Sequence, residues 1–199
     1  ISDEYTPNEL DRIYAGYMSD RPVTLRVNAL KSDIRSVMDI FRSEDIKFER
    51  VLWYDDALII RNRRERDLEG HRLYTEGKIY LQSLSSMIPP AVLNLRKGWK
   101  VLDLTAAPGS KTTQIASIMG DDGFILANEI NKIRFERLEF NIGRQGAGIV
   151  RVRYGDGKKL EPEYQGYFDA VLLDAPCSGT GLFSLGDART YRAWSVKRM

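Results

Sequence analysis

The run Asp174-Ala175-Pro176-Cys177-Ser178-Gly179 holds the one cysteine of the chain. It follows an apolar stretch, Phe168-Asp169-Ala170-Val171-Leu172-Leu173, which reads as a strand buried on both faces of a parallel sheet. In α/β proteins the carboxyl ends of strands carry the chemistry, so Asp174 and Cys177 are candidate catalytic residues. A thiol placed there serves as a nucleophile or as an acid/base partner. The competing reading is a small buried hydrophobe, the common fate of a free cysteine. Neighbours of Asp, Pro, Ser and Gly suit that reading poorly.

A second constellation is Asp103-Leu104-Thr105-Ala106-Ala107-Pro108-Gly109-Ser110-Lys111-Thr112. Its small residues let backbone pass close to a ligand, and the helix expected after it offers free N–H groups. It is not a phosphate-binding P-loop, because Ser110 separates Gly109 from Lys111 and residue 104 is Leu. The dinucleotide fingerprint is also missing. An acid stands at or just past the end of each expected strand: Asp103, Glu129, Asp156 and Asp174. Acids in that ring repel a pyrophosphate and suit a ligand with a cationic centre, an amino group and a ribose. S-adenosylmethionine meets that demand. Alternatively the acids cap helices or solvate loops, a reading that weakens when acids recur at strand after strand.

These residues need elements to hold them. Residues 24–30 alternate as a strand, Ser32 or Asp33 caps a helix over 34–43 with Ile34, Val37, Met38 and Phe41 on one face, and 48–53 and 57–60 are further strands. From about residue 81 the pattern changes. A helix is expected over 83–95 despite Pro89-Pro90, then a strand over 99–104 and a helix over 112–119 closed by Gly120. A strand over 124–128, a helix over 131–143 with Ile133, Leu138 and Ile142 inward, and strands over 148–154 and 168–173 follow. Such an alternation predicts a parallel sheet with helices on its faces.

The 199 residues carry a net charge of +2, which does not by itself argue for a nucleic-acid partner. Local clusters say more: Arg61, Arg63, Arg64 and Arg66, and Arg189, Arg192, Lys197 and Arg198. Each is either a solvated face or a set of phosphate contacts. A single cysteine excludes a disulfide framework and fits a reducing, cytoplasmic setting. No apolar run is long enough for a membrane span, and no residue cluster has metal-ligand spacing. His71, in a charged segment, is expected to be exposed and solvating, while Trp53 and Trp99 read as packing residues within strands.

With these motifs in hand, the chain resembles the Sun-family RNA cytosine-5 methyltransferases. Residues 103–112 are similar to the family's first motif, usually written with Cys where Thr105 stands. Asn128-Glu129 with Arg134 is similar to the second, Asp156-Gly157 to the third and 174–179 to the fourth. Arg21-Pro22 and Leu25-Arg26-Val27-Asn28-Ala29-Leu30-Lys31 resemble the family's N-terminal module. Gln82, Ser83 and Ser86 resemble the entry to its catalytic domain. The resemblance implies a Rossmann-like methyltransferase sheet over 81–199, incomplete here, and an RNA-facing α/β module of RRM-like topology over 1–80. It implies S-adenosylmethionine as cofactor, with its methionine and ribose lined by Thr105, Ala106, Ala107, Pro108, Gly109, Ser110 and Lys111. Glu129 would take the ribose hydroxyls, Asp156 the adenine edge, and Asp174 would lie between cofactor and base, with Arg134 completing the site. The partner implied is RNA, rRNA or tRNA. The module's sequence shows no stacking-aromatic signature.

Cytosine C5 becomes nucleophilic once a thiolate adds to C6. Asp174 is placed to bond N3 and the exocyclic amine of that base, and Lys111 to favour the thiolate or orient the substrate. Family members use two cysteines, the one in the fourth motif releasing product and a nucleophile in a later Thr-Cys-Ser motif. The chain reaches Met199 without the second. The expectation is a truncated front part, with residues 189–199 beginning a further helix, that binds cofactor and does not turn over alone. One alternative makes Cys177 itself the nucleophile. Another is a non-catalytic RNA-binding subunit with a vestigial pocket.

Overall fold

The computed structural model describes residues 4–19, 21–160 and 162–195. Pro22–Asp174 forms one compact unit, and the described residues of Ile1–Arg21 and Ala175–Met199 form another. The smaller unit contains α1 (Pro7–Met18), where Glu9 Oε2 accepts from both the N–H and the hydroxyl of Thr6 at 2.8 Å. Leu185 N donates to Tyr17 O, and the Tyr17 ring meets Phe183. Sequence reading did not anticipate this helix; it buries no residue and so carries little hydrophobic signal.

In the larger unit, β1 (Val23–Val27), α2 (Ile34–Ser43), β2 (Phe48–Arg50), β3 (Ala57–Ile60), α3 (Glu65–Glu69), α4 (Arg72–Thr75) and β4 (Ile79–Leu81) build an antiparallel sheet of order β2-β3-β1-β4. Asp33 caps α2 by accepting from Ser36 N, and Val37, Met38 and Phe41 bury against Leu25, Val27, Leu58 and Ile79. The strand expected over 24–30 stops at Val27 because Asn28 Oδ1 accepts from Leu30 N and turns the chain. The strand expected over 48–53 likewise ends at Arg50. Trp53 therefore sits in a turn, half-exposed, and not in a strand.

The remainder is α5 (Leu84–Val92), β5 (Lys100–Asp103), α6 (Ser110–Met119), β6 (Phe124–Glu129), α7 (Lys132–Gln145), β7 (Val150–Tyr154) and β8 (Ala170–Leu172). Its parallel sheet has the order β7-β6-β5-β8. This is the Rossmann-like arrangement expected. Helix α5 runs through Pro89 and Pro90, which remove two amide donors, and ends at Val92 and not near 95. Helix α7 continues past Gly143 to Gly146, whose φ of 71° ends it. Leu138 and Ile142 are buried, but Ile133 is 64% exposed and does not point inward.

Burial sets two elements apart from the rest. Strand β1 is buried on both faces: Leu25 and Val27 enter its own core, while Thr24 and Arg26 lie on the opposite face. Helix α6 is buried almost all round, from Thr112 to Ser117 and at Met119. Strand β8 ends the sheet among the described residues, and Val171 and Leu173 are half-exposed, so this run is not buried on both faces. Where a helix was expected over 189–199 there is a short 3-10 turn, Ala188–Thr190; residues 196–199 lie outside the described residues.

Candidate cofactor and catalytic site

The loop over residues 104–109 joins β5 to α6, and almost all its carbonyl oxygens are tied back. Asn128 Nδ2 donates to Leu104 O at 3.1 Å, Gly109 N to Ala106 O at 2.8 Å, and Arg134 Nη2 to Ala107 O at 2.6 Å. Asn141 Nδ2 donates to Pro108 O at 2.8 Å and Thr113 Oγ1 to Gly109 O at 2.8 Å. Gly109 stands at φ 101°, a conformation open to glycine, and a Cβ there would lie 3.0 Å from Leu138 Cδ1. With its carbonyls engaged, the loop leads into the N-terminus of α6, whose first amides have no intrahelical acceptor. That end attracts an anionic group such as a carboxylate.

A parallel sheet brings its carboxyl ends to one side, so Asp103, Glu129, Asp156 and Asp174 gather there. Asp103 is buried and accepts from Thr112 Oγ1 at 2.7 Å. Burial raises its pKa to about 6, partly offset by the Thr112 hydroxyl and by Lys111. Glu129 is 3% exposed; its Oε1 accepts from Asn131 N at 2.8 Å and its Oε2 lies 3.7 Å from Arg134 Nε. Asp156 accepts from Lys158 N, opening the 3-10 turn Gly157–Lys159. A Cβ at Gly157 would press within 2.8 Å of Leu104 Cδ1, so glycine lets this turn close on the loop.

Lys111 Nζ meets Asp174 Oδ2 at 2.6 Å, and Thr105 Oγ1 donates to Asp174 O at 2.9 Å. The crevice of about 30 Å³ beside them is lined by Asp103, Thr105, Ala106, Ala107, Pro108, Ser110, Lys111 and Asp174. The acids, the helix end and the lysine form a donor and acceptor set that fits a ligand carrying a carboxylate, a cationic centre and hydroxyls.

Of the residues singled out by sequence, those of 105–111 other than Gly109 line this crevice with Asp174, and Arg134 braces the loop and faces Glu129. Cys177 is exposed and belongs to the smaller unit, so it is no buried hydrophobe. The arginine cluster is largely spent locally. Arg61 forks onto Glu49, Arg63 donates to Asn62 O and Glu44 O, and Arg66 lies near Asp67. Arg189 pairs with Asp187, while Lys197 and Arg198 lie outside the described residues. His71 is not a solvating surface residue. Its side chain is 12% exposed, its Nδ1 accepts from Leu73 N to cap α4, and its Nε2 contacts Glu44 at 2.6 Å. Sequence reasoning missed Asn128, Asn141 and Thr113 as loop braces; an Asn or Thr inside a strand or helix carries no local signal of a distant partner.

A family model described as 16S rRNA methyltransferase RsmB/F matches residues 90–192. The chain is 36% identical over 175 residues to ribosomal RNA small subunit methyltransferase F of Shewanella sp. strain ANA-3, covering 87% of this chain and 36% of that protein. It thus spans little more than a third of that relative's length. The crystal structure of PH0851 superposes with a TM-score of 0.85 at 30% identity, over 96% of this chain and 43% of that one. A methyltransferase homolog protein from Pyrococcus horikoshii gives 0.74 at 28% identity, over 94% of this chain and 65% of that one.

Proposed function

The chain belongs to the RsmB/F family of 16S rRNA methyltransferases, and on that premise we propose that it forms the cofactor-binding front of an S-adenosylmethionine-dependent enzyme that methylates cytosine C5 in ribosomal RNA. The observation that carries this reading is the set of acids at one end of the parallel sheet, around a loop whose carbonyls are tied back and whose helix N-terminus is open. The cofactor, when bound, supplies an electrophilic methyl group.

The protein's own groups do the rest. The amides at the start of α6 would hold the methionine carboxylate, Glu129 would accept from the ribose hydroxyls, and Asp156 would take the adenine edge. Asp174, carrying a proton, would donate to N3 and accept from the exocyclic amine of cytosine through its other oxygen, drawing charge from the ring as a thiolate adds to C6. The electron pair so released makes C5 nucleophilic. Afterwards a base removes the C5 proton and the thiolate leaves, restoring the aromatic ring. Lys111, now on Asp174, would shift to the thiolate or to substrate phosphate as the base enters.

With one cysteine in the 199 residues, the two-thiol chemistry assigns product release to Cys177 and requires its nucleophile from another segment. The one-cysteine reading makes Cys177 the nucleophile. Purified chain mixed with RNA bearing 5-fluorocytosine and cofactor separates them: a covalent adduct lost in Cys177→Ala supports the second. The first sheet is the RNA-facing module in this proposal, and the site of action is the cytoplasm.

Titration calorimetry with S-adenosylhomocysteine tests the cofactor assignment. The wild-type chain is expected to bind, and Glu129→Ala to weaken binding by about tenfold to a hundredfold. A chain that binds RNA and no cofactor would instead be the non-catalytic subunit.

A further inference from the structure

The segment Arg26-Val27-Asn28-Ala29-Leu30-Lys31 plays no part in methyl transfer, yet its polar groups are tied to the surrounding helices, with Arg26 Nη1 left without a hydrogen-bond partner among the described residues. Arg26 is fully buried and has no carboxylate in ion-pair reach among the described residues. Its Nη2 donates to Thr113 Oγ1 at 3.1 Å and its Nε to Gln82 Oε1 at 3.2 Å. An arginine only donates, so the Thr113 oxygen must accept, and its single proton goes to Gly109 O at 2.8 Å or Ser110 O at 3.2 Å, beside the helix bond from Thr113 N to Gly109 O at 2.9 Å. Gln82 is fixed in the same way: with its oxygen engaged, its amide donates to Gln114 Oε1 at 2.8 Å, and Gln114 donates to Met87 O at 2.9 Å.

The rest of the segment reaches α6 again and α7. Ala29 N donates to Ser117 Oγ near the end of α6. Asn28 Nδ2 donates to Gly77 O and Gln145 O, both at 2.8 Å, and Lys31 Nζ to Arg144 O at 2.7 Å. The last two reach the carbonyl end of α7, where a cation also suits the helix dipole. Helix α7 supplies Arg134 and Asn141 to the loop, and α6 begins from it.

We infer that this segment, from the end of β1 through Lys31, is a fastener for the cofactor loop: Arg26, acting through Thr113, is a positioning residue that reinforces the helix bond keeping the Gly109 carbonyl turned away from the ligand. It cannot touch RNA, being fully buried. The effect on affinity rests on the proposed cofactor assignment; the effect on loop order does not.

The test compares Thr113→Val, which removes the hydroxyl at nearly constant volume, with Thr113→Ser, which keeps it, and with Arg26→Met. Two readouts are taken on the 199-residue chain: affinity for S-adenosylhomocysteine, and hydrogen exchange of amides 109–112 without ligand. Thr113→Val and Arg26→Met are expected to weaken binding about tenfold each, the double variant no further, and to speed exchange in 109–112; Thr113→Ser should restore both. Wild-type affinity and exchange in Thr113→Val overturn the inference, even if Arg26→Met fails to fold. If the wild-type chain binds no ligand, the cofactor reading fails, and the exchange comparison alone decides whether the fastener exists.

Discussion

Asp103 illustrates a residue kept at a cost. Its carboxyl titrates near 6 in the fold because of burial, whereas in an unfolded chain it titrates near ~3.9. Below both values the folded and unfolded states hold the same proton, and the group is neutral to stability. Between about 4 and 6 the unfolded state loses its proton first, so stability falls as pH rises, and above 6 the full loss persists. Asp103→Asn, which can still accept from Thr112, is expected to stabilise the chain by about 1–3 kcal/mol at pH 7 and by little at pH 4. Urea unfolding of both proteins across that range reads the gap opening. Gly109 is the opposite case. With φ at 101° and Leu138 at 3.0 Å from its absent Cβ, Gly109→Ala should cost about 1–3 kcal/mol and lower the midpoint of thermal unfolding.

At the scale of elements, helices with a cap and a periodic face were legible. Asp33 and the Val37-Met38-Phe41 face defined α2, and Gly120 closed α6 in the left-handed conformation. Ile133 was misplaced for a geometric reason: it stands at neither i+3 nor i+4 spacing from Leu138, so it cannot share that buried face. Strand β4 is short and follows a helix capped by a histidine, an unusual cap that offers no sequence signal. The placement of the acids at strand ends and of the small-residue loop between β5 and α6 was legible because strand and helix boundaries are marked by residue type there. Their braces were not, since they join residues 87 and 33 positions apart. Asn28 is the simplest brace to probe. Asn28→Ala leaves the carbonyls of Gly77 and Gln145 without their donor and is expected to cost about 2 kcal/mol in urea unfolding.

At the scale of the molecule, the sheet edge at β8 is the apolar exposure to watch. Val171 and Leu173 are half-exposed, and a groove of about 590 Å³ lined by Leu102, Leu160, Tyr164, Phe168 and their neighbours runs beside them. A strand that ends its sheet among the described residues, next to apolar surface, invites pairing between chains. Sedimentation velocity should show self-association rising with concentration, and Val171→Lys should reduce it. The burial of β1 on both faces bears on a different event, synthesis at the ribosome. All strands of the first sheet have been made once Leu81 has emerged, and Gln82, then Met87 of α5, follow at once onto the face that carries Arg26, but its partner Thr113 arrives only with α6. In that interval a nascent chain lacks the bond from Arg26 to α6. Translation order therefore delivers the helix behind the cofactor loop after the strand that fastens it.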